Sequence, residues 1–141
     1  TLPALVHGRA RRAYACEWNR YAVEYLKFNL IQNGIALLQP NEEGEAKKGC
    51  TVFQGDSRQI CKQHSIINKV DRISLGLLPS SEGGWETAVQ ALKTDVGGWL
   101  HVHGNVLVIE HEIWCMWLCS RLYQMTRKIK VASTLDGDED W

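Results

Sequence analysis

The chain has 141 residues, 45% of them hydrophobic and 23% charged, with 16 Lys and Arg against 16 Asp and Glu. That balance fits one globular domain or a piece of one, and a formal net charge of zero excludes the broad attraction that drives non-specific nucleic-acid binding. No stretch approaches the ~20 apolar residues of a membrane-spanning helix, so no membrane is expected among the partners.

Thr1-Leu2-Pro3-Ala4-Leu5-Val6 has neither a basic leader nor a small-residue cleavage site after it, and reads as a chain entered mid-element. The five cysteines, at 16, 50, 61, 115 and 119, lack the dense spacing of a secreted disulfide scaffold, which points to a reducing, cytoplasmic compartment.

Residues 1–7 read as a helix. Residues 10–16 read as a buried strand that ends at a carboxylate, Glu17. Asn19 is placed to cap a helix over 20–33, in which Ala22, Val23, Leu26, Leu30 and Ile31 recur at helical spacing before Gly34. Residues 40–49 are polar, Gly-bearing and aperiodic, which predicts a mobile surface loop. A second strand over 50–54 stops at Gly55-Asp56-Ser57, and a third, over 72–78, breaks at Pro79-Ser80-Ser81. A short helix over 85–93, a fourth strand over 98–102 ending at His103-Gly104-Asn105, and a last helix over about 110–129 precede an acidic end.

Strands alternating with amphipathic helices predict an α/β fold with a mostly parallel sheet and helices on both faces. Ligands of such sheets bind beyond the carboxyl ends of the strands, where Glu17, Asp56 with Ser57, Pro79 to Ser81, and His103 to Asn105 would converge. A carboxylate at one tip can accept both hydrogen bonds of a ribose diol, the role Glu17 is placed for. Asp56 would accept from the exocyclic amine of an adenine, Ser57 and the backbone would meet the ring edge, and Trp18 offers an apolar surface beside the base. The alternative is that Glu17 and Asp56 are ordinary solvent-exposed carboxylates. A Gly-rich loop normally lies about 20 residues before the ribose acid, and none is found between Thr1 and Glu17.

Thr1-Leu2-Pro3-Ala4-Leu5-Val6, Ala15-Cys16-Glu17-Trp18-Asn19, the run Ala22-Val23-Glu24 through Asn29-Leu30 to Asn33-Gly34, Gly55-Asp56-Ser57-Arg58, Leu75-Gly76-Leu77-Leu78-Pro79-Ser80-Ser81-Glu82 and Gly97-Gly98-Trp99-Leu100-His101-Val102-His103-Gly104-Asn105-Val106 occur in order. Together they resemble the catalytic domain of the tRNA wybutosine-synthesizing protein 2 family. That family belongs to a class I, Rossmann-like methyltransferase group which includes the tRNA guanine-N1 methyltransferases. The resemblance covers residues 1–106, while 107–141 diverge.

The resemblance implies a partial S-adenosyl-L-methionine-dependent transferase domain over 1–141, lacking the first strand and the C-terminal strands of the Rossmann-like fold and inactive alone. The implied reaction transfers the 3-amino-3-carboxypropyl group of S-adenosyl-L-methionine, as co-substrate, to a tricyclic guanine derivative beside the anticodon of phenylalanine tRNA. Residue by residue, Glu17 corresponds to the acid on the cofactor ribose, with Trp18 beside it, and Asp56 and Ser57 to the pair at the adenine. Pro79, Ser80 and Ser81 correspond to the loop beside the reacting groups. Methyltransferase relatives tend to carry an Asn-Leu-Pro type motif at that strand end. Leu77-Leu78-Pro79 departs from it, which favours aminocarboxypropyl transfer over N1 methylation, the first alternative. No residue is singled out as a general base. The second alternative is a non-catalytic truncated protein that associates through unpaired sheet edges.

His111, Cys115 and Cys119 share a helix face but lack a fourth zinc ligand, so no metal is expected. His101 and His103 fall on one side of a strand and read as a structural pair. Arg9, Arg11, Arg12, Arg121, Arg127, Lys128 and Lys130 are candidate phosphate contacts or simply solvated charges. Trp114, Trp117, Leu118, Leu122 and Met125 form an apolar stripe expected to pack in the core.

Overall fold

Two helix-forming signals and one strand pattern build the first part of the chain in the computed structural model. Pro3 sits in the opening turn of α1 (Leu2–Val6), where its missing N–H costs nothing. Arg12–Glu17 form β1, and α2 (Arg20–Gln32) starts where the Asn19 side chain accepts from the backbone N–H groups of Tyr21, at 2.9 Å, and Ala22, at 3.3 Å. It stops at Gly34, whose φ of +68° is the left-handed conformation expected there. The described residues are 1–40 and 48–135, with side chains through Ile129. Most of the predicted mobile loop and the acidic end therefore lie outside them.

Residues Thr1–Ser65 and Ile66–Trp141 form two compact units. In the first, β2 (Ala36–Leu37) and β3 (Gly49–Gln54) join β1 in a parallel sheet of order β1-β3-β2, and α3 (Ser57–Gln63) follows β3. Ala13 pairs with Cys50 and Ala15 with Val52, and these small side chains meet Leu5, Leu26, Leu30 and Ile35 in the core. The neighbouring positions Tyr14 and Phe53 stack with ring centroids 6.5 Å apart, and Phe53 also contacts His64, at the end of α3, at 4.7 Å. Both faces of this sheet are thus covered, as a parallel sheet requires. Tyr21, Tyr25, Phe28 and Ile31 lie exposed on α2.

In the second unit, β4 (Arg72–Leu75) and β5 (Trp99–Val102) pair in parallel, with α4 (Trp85–Ala91) as the crossover between them. α5 (His111–Leu135) follows a short 3-10 turn, Val108–Glu110. Trp85 is 2% exposed, and its ring meets that of Trp117 on α5 edge-on at 5.6 Å. Leu118 is also buried, whereas Trp117 is partly exposed, so the expected stripe on α5 packs along only part of its width. A Cβ on Gly104 would lie 2.7 Å from the Trp114 ring, which fixes the close approach of α5 to the end of β5.

The structure revises the expected order in several places. α3 and β2 are present where the pattern predicted no element. β4 ends at Leu75, short of residue 78, because the chain then turns so that Ser80 bridges Gly104 in the antiparallel sense. α5 runs past residue 129 to Leu135. The strands form a three-stranded and a two-stranded sheet rather than one ladder. The α/β class with parallel strands stands. Among the described residues, no helix is long and apolar enough to cross a membrane.

Candidate functional site

Glu17 and Asp56 are carried to the same end of one sheet by strand register. Glu17 is the last residue of β1 and pairs with Gln54, the last of β3. The Gly55 N–H then donates to the Glu17 carbonyl at 2.9 Å, and Asp56 follows directly. Gly55 has a φ of +144°, which a residue with a side chain rarely adopts, so the turn that presents Asp56 depends on glycine. Trp18 stands beside Glu17 with 76% of its surface exposed, and Ser57 opens α3 half-buried.

The two carboxylates differ in what already occupies them. Glu17, half-buried, accepts from the Asn19 backbone N–H through Oε1 at 2.8 Å, which orients the group and leaves Oε2 for an incoming hydroxyl. Asp56 caps α3 by accepting from the Arg58 backbone N–H at 2.9 Å. Its side chain is also gripped by the Arg58 guanidinium, with Nε donating at 3.0 Å to Oδ1 and 2.9 Å to Oδ2. That pair holds the Asp56 carboxyl at about 2, below its ordinary value.

The Pro79, Ser80 and Ser81 tip belongs to the second unit. Pro79 and Ser80 are exposed at a cis Leu78–Pro79 bond, and the Ser80 hydroxyl accepts from the Glu82 N–H at 3.2 Å. Ser81 is 4% exposed, and its hydroxyl accepts from the indole N–H of Trp85 at 3.2 Å. Ser81 therefore faces the core of its own unit and fixes the start of α4. Leu77 and Leu78 are exposed beside this tip.

Glu17, Trp18, Asp56 and Ser57 thus share one sheet end, and Pro79 to Ser81 form a tip of their own. Sequence reasoning missed Arg58 as the partner of Asp56. The signal was present as Asp56 followed two residues later by an arginine at a helix start. His101 and His103 are both exposed. Among the described residues, no group of three or more His, Cys, Asp or Glu is arranged to hold a metal ion.

The chain is 44% identical over 112 residues to the tRNA wybutosine-synthesizing protein 2 homolog of Danio rerio, which covers 79% of this chain and 24% of that protein. It is 45% identical over 106 residues to the Rattus norvegicus homolog, covering 75% of this chain and 21% of that one. It is 41% identical over 113 residues to the tRNA wybutosine-synthesizing protein 2/3/4 of Arabidopsis thaliana, covering 80% and 10%. The chain therefore spans a quarter or less of the length of these relatives. No family model matches it, and no solved structure matches it.

Proposed function

We propose that this chain, a relative of the tRNA wybutosine-synthesizing protein 2 homologs over three-quarters of its length, is the cofactor-binding part of a cytoplasmic tRNA-modifying transferase. The reaction is transfer of the 3-amino-3-carboxypropyl group of S-adenosyl-L-methionine to a tricyclic guanine derivative beside the anticodon of phenylalanine tRNA. The accompanying fold is Rossmann-like, a class to which the parallel pairing within β1-β3-β2 and within β4-β5 is suited. One observation carries the reading: two carboxylates, each held by a local backbone bond, end neighbouring parallel strands beside an exposed tryptophan.

The donor set fits an adenosine moiety. Glu17 Oε2 takes a ribose hydroxyl while Asn19 holds Oε1, and the open face of Trp18 lies beside the base. Asp56 accepts the adenine amine once Arg58 swings aside, which an ion pair at the surface allows because solvent screens it. Bound S-adenosyl-L-methionine supplies a sulfonium with three carbons open to a nucleophile. Selection between methyl and aminocarboxypropyl transfer then rests on which carbon the pocket aims at the base, an orientation effect. The apolar Leu77 and Leu78 in place of an Asn-Leu-Pro motif remove a polar anchor suited to N1 methylation.

Calorimetric titration of S-adenosyl-L-methionine tests the reading. Glu17→Ala, folded by circular dichroism, should weaken binding ~10- to 100-fold, since a hydrogen bond to a charged group is worth ~1.5–3 kcal/mol. Equal affinity in both proteins would reject Glu17 as the ribose acid. Mass spectrometry of the modified nucleoside, in the full-length protein, distinguishes an aminocarboxypropyl product from a methyl one.

A further inference from the structure

We infer that Cys16 and Cys61 form a redox-active dithiol, a modification site that a peroxide closes to a disulfide joining β1 to α3. This site stands independently of the transferase reading.

The geometry comes from how α3 lies on the first sheet. Cys16, the penultimate residue of β1, pairs in register with Phe53 and shares its strand face with Tyr14. α3 covers that face. It is held at one end by Asp56, which caps it directly after β3, and at the other by His64, whose ring lies 4.7 Å from Phe53. Ile60 is buried beneath the helix. Cys61 and His64 are three residues apart, so both project from this covered side. Between the two anchors, Cys16 and Cys61 lie on the facing sides of β1 and α3, which pack against each other, and each thiol shifts the acidity of the other. Both are half-buried rather than sealed in the core, so a small oxidant can reach them.

The two thiols are shifted in opposite directions: the neighbouring Cys16 lowers the Cys61 thiol toward thiolate, while Cys61 and burial push Cys16 upward. Cys61 is thus the attacking sulfur and Cys16 the resolving one. The Cys61 thiolate attacks one oxygen of hydrogen peroxide: an S–O bond forms, the O–O bond breaks, and the departing hydroxide takes up a proton to become water. Cys16 then loses its proton and attacks the Cys61 sulfenic sulfur; the S–S bond forms, the S–O bond breaks and a second water leaves. Two thiols are oxidised by two electrons and one peroxide is reduced to two waters.

The other cysteines are differently placed. Cys50 is fully buried, and burial raises its thiol to about 11. Cys115 and Cys119 are exposed one turn apart on α5, where a link would tie no two elements together.

The test is hydrogen peroxide treatment of the native chain, alkylation of remaining thiols, non-reducing digestion and mass spectrometry. A linked Cys16–Cys61 peptide, two hydrogens lighter than its separate parts and released by dithiothreitol, is expected as the dominant product. Cys16→Ser should instead leave a dimedone-reactive sulfenic acid at Cys61, and Cys61→Ser should leave Cys16 available to alkylation after peroxide. Circular dichroism confirms that each variant is folded, with Cys→Ala forms as a second pair. A different dominant pair, or the same linkage forming as fast in guanidinium as in native buffer, would overturn the inference.

Discussion

Asp56 shows how much a single carboxylate at a strand tip is asked to do. It closes the first turn of α3 through the Arg58 backbone N–H, and it carries the Arg58 guanidinium as a counter-ion. Both interactions favour its charged form and hold it at about 2 against an ordinary 3.8. Because the folded value is the lower one, the stabilisation is fully present above pH 3.8 and is lost as pH falls through about 2. In Arg58→Ala the side-chain bonds disappear while the backbone donor remains. The Asp56 carboxyl, followed by NMR titration, should therefore rise toward 3.8 without reaching it. An unmoved titration would show that the guanidinium does not set it. Glu17 is a plainer case, since among the described residues its carboxylate accepts from the Asn19 N–H through one oxygen and keeps the other for a ligand. The sequence placed both carboxylates at strand tips, but it could not show that Asp56 already has a partner. A carboxylate two residues from an arginine reads the same whether the pair is closed or open.

At the scale of elements, legibility followed length. α2 was readable because Asn19, five apolar positions and Gly34 agree over thirteen residues, and its bounds differ from expectation by one residue. α3 was not, because seven residues with a single fully buried side chain, Ile60, are too few to show a period. β2 is two residues long and is recognised only by its pairing with β3. β4 was read too far because Leu77 and Leu78 continue the apolar run although both are exposed. Ser81 illustrates what a motif conceals: within Pro79-Ser80-Ser81 its hydroxyl serves the fold by accepting from buried Trp85. Ser81→Ala should orphan that indole N–H and lower unfolding stability in urea by ~1–3 kcal/mol. Trp85→Phe removes the donor too, so combining it with Ser81→Ala should cost less than the two single losses summed. Strict additivity would mean that the bond contributes nothing to holding α4.

At the scale of the whole molecule, charge decides what the chain can do with RNA. Sixteen cations against sixteen anions leave no net field to attract a polyanion, although the relatives are named for tRNA wybutosine synthesis. Any contact with phosphate must then come from local groups. Candidates in the first unit are Arg9 and Arg11, both exposed, with Arg12 drawn inward over the Tyr14 ring at 5.4 Å. In the second, the candidates on α5 are Arg121, Arg127 and Lys128. Each neutralised phosphate contributes ~0.7–0.9 to the slope of log affinity against log salt, so a contact limited to three cations gives a slope no steeper than about −3. Filter binding of phenylalanine tRNA across a salt series should return such a shallow dependence, with Arg9→Ala plus Arg11→Ala reducing it further if the first unit makes the contact. A slope several-fold steeper would require that the two sets of cations act on one RNA together. A shallow slope would mean that only a few of the sixteen cations meet phosphate, which is what their even balance against sixteen anions allows.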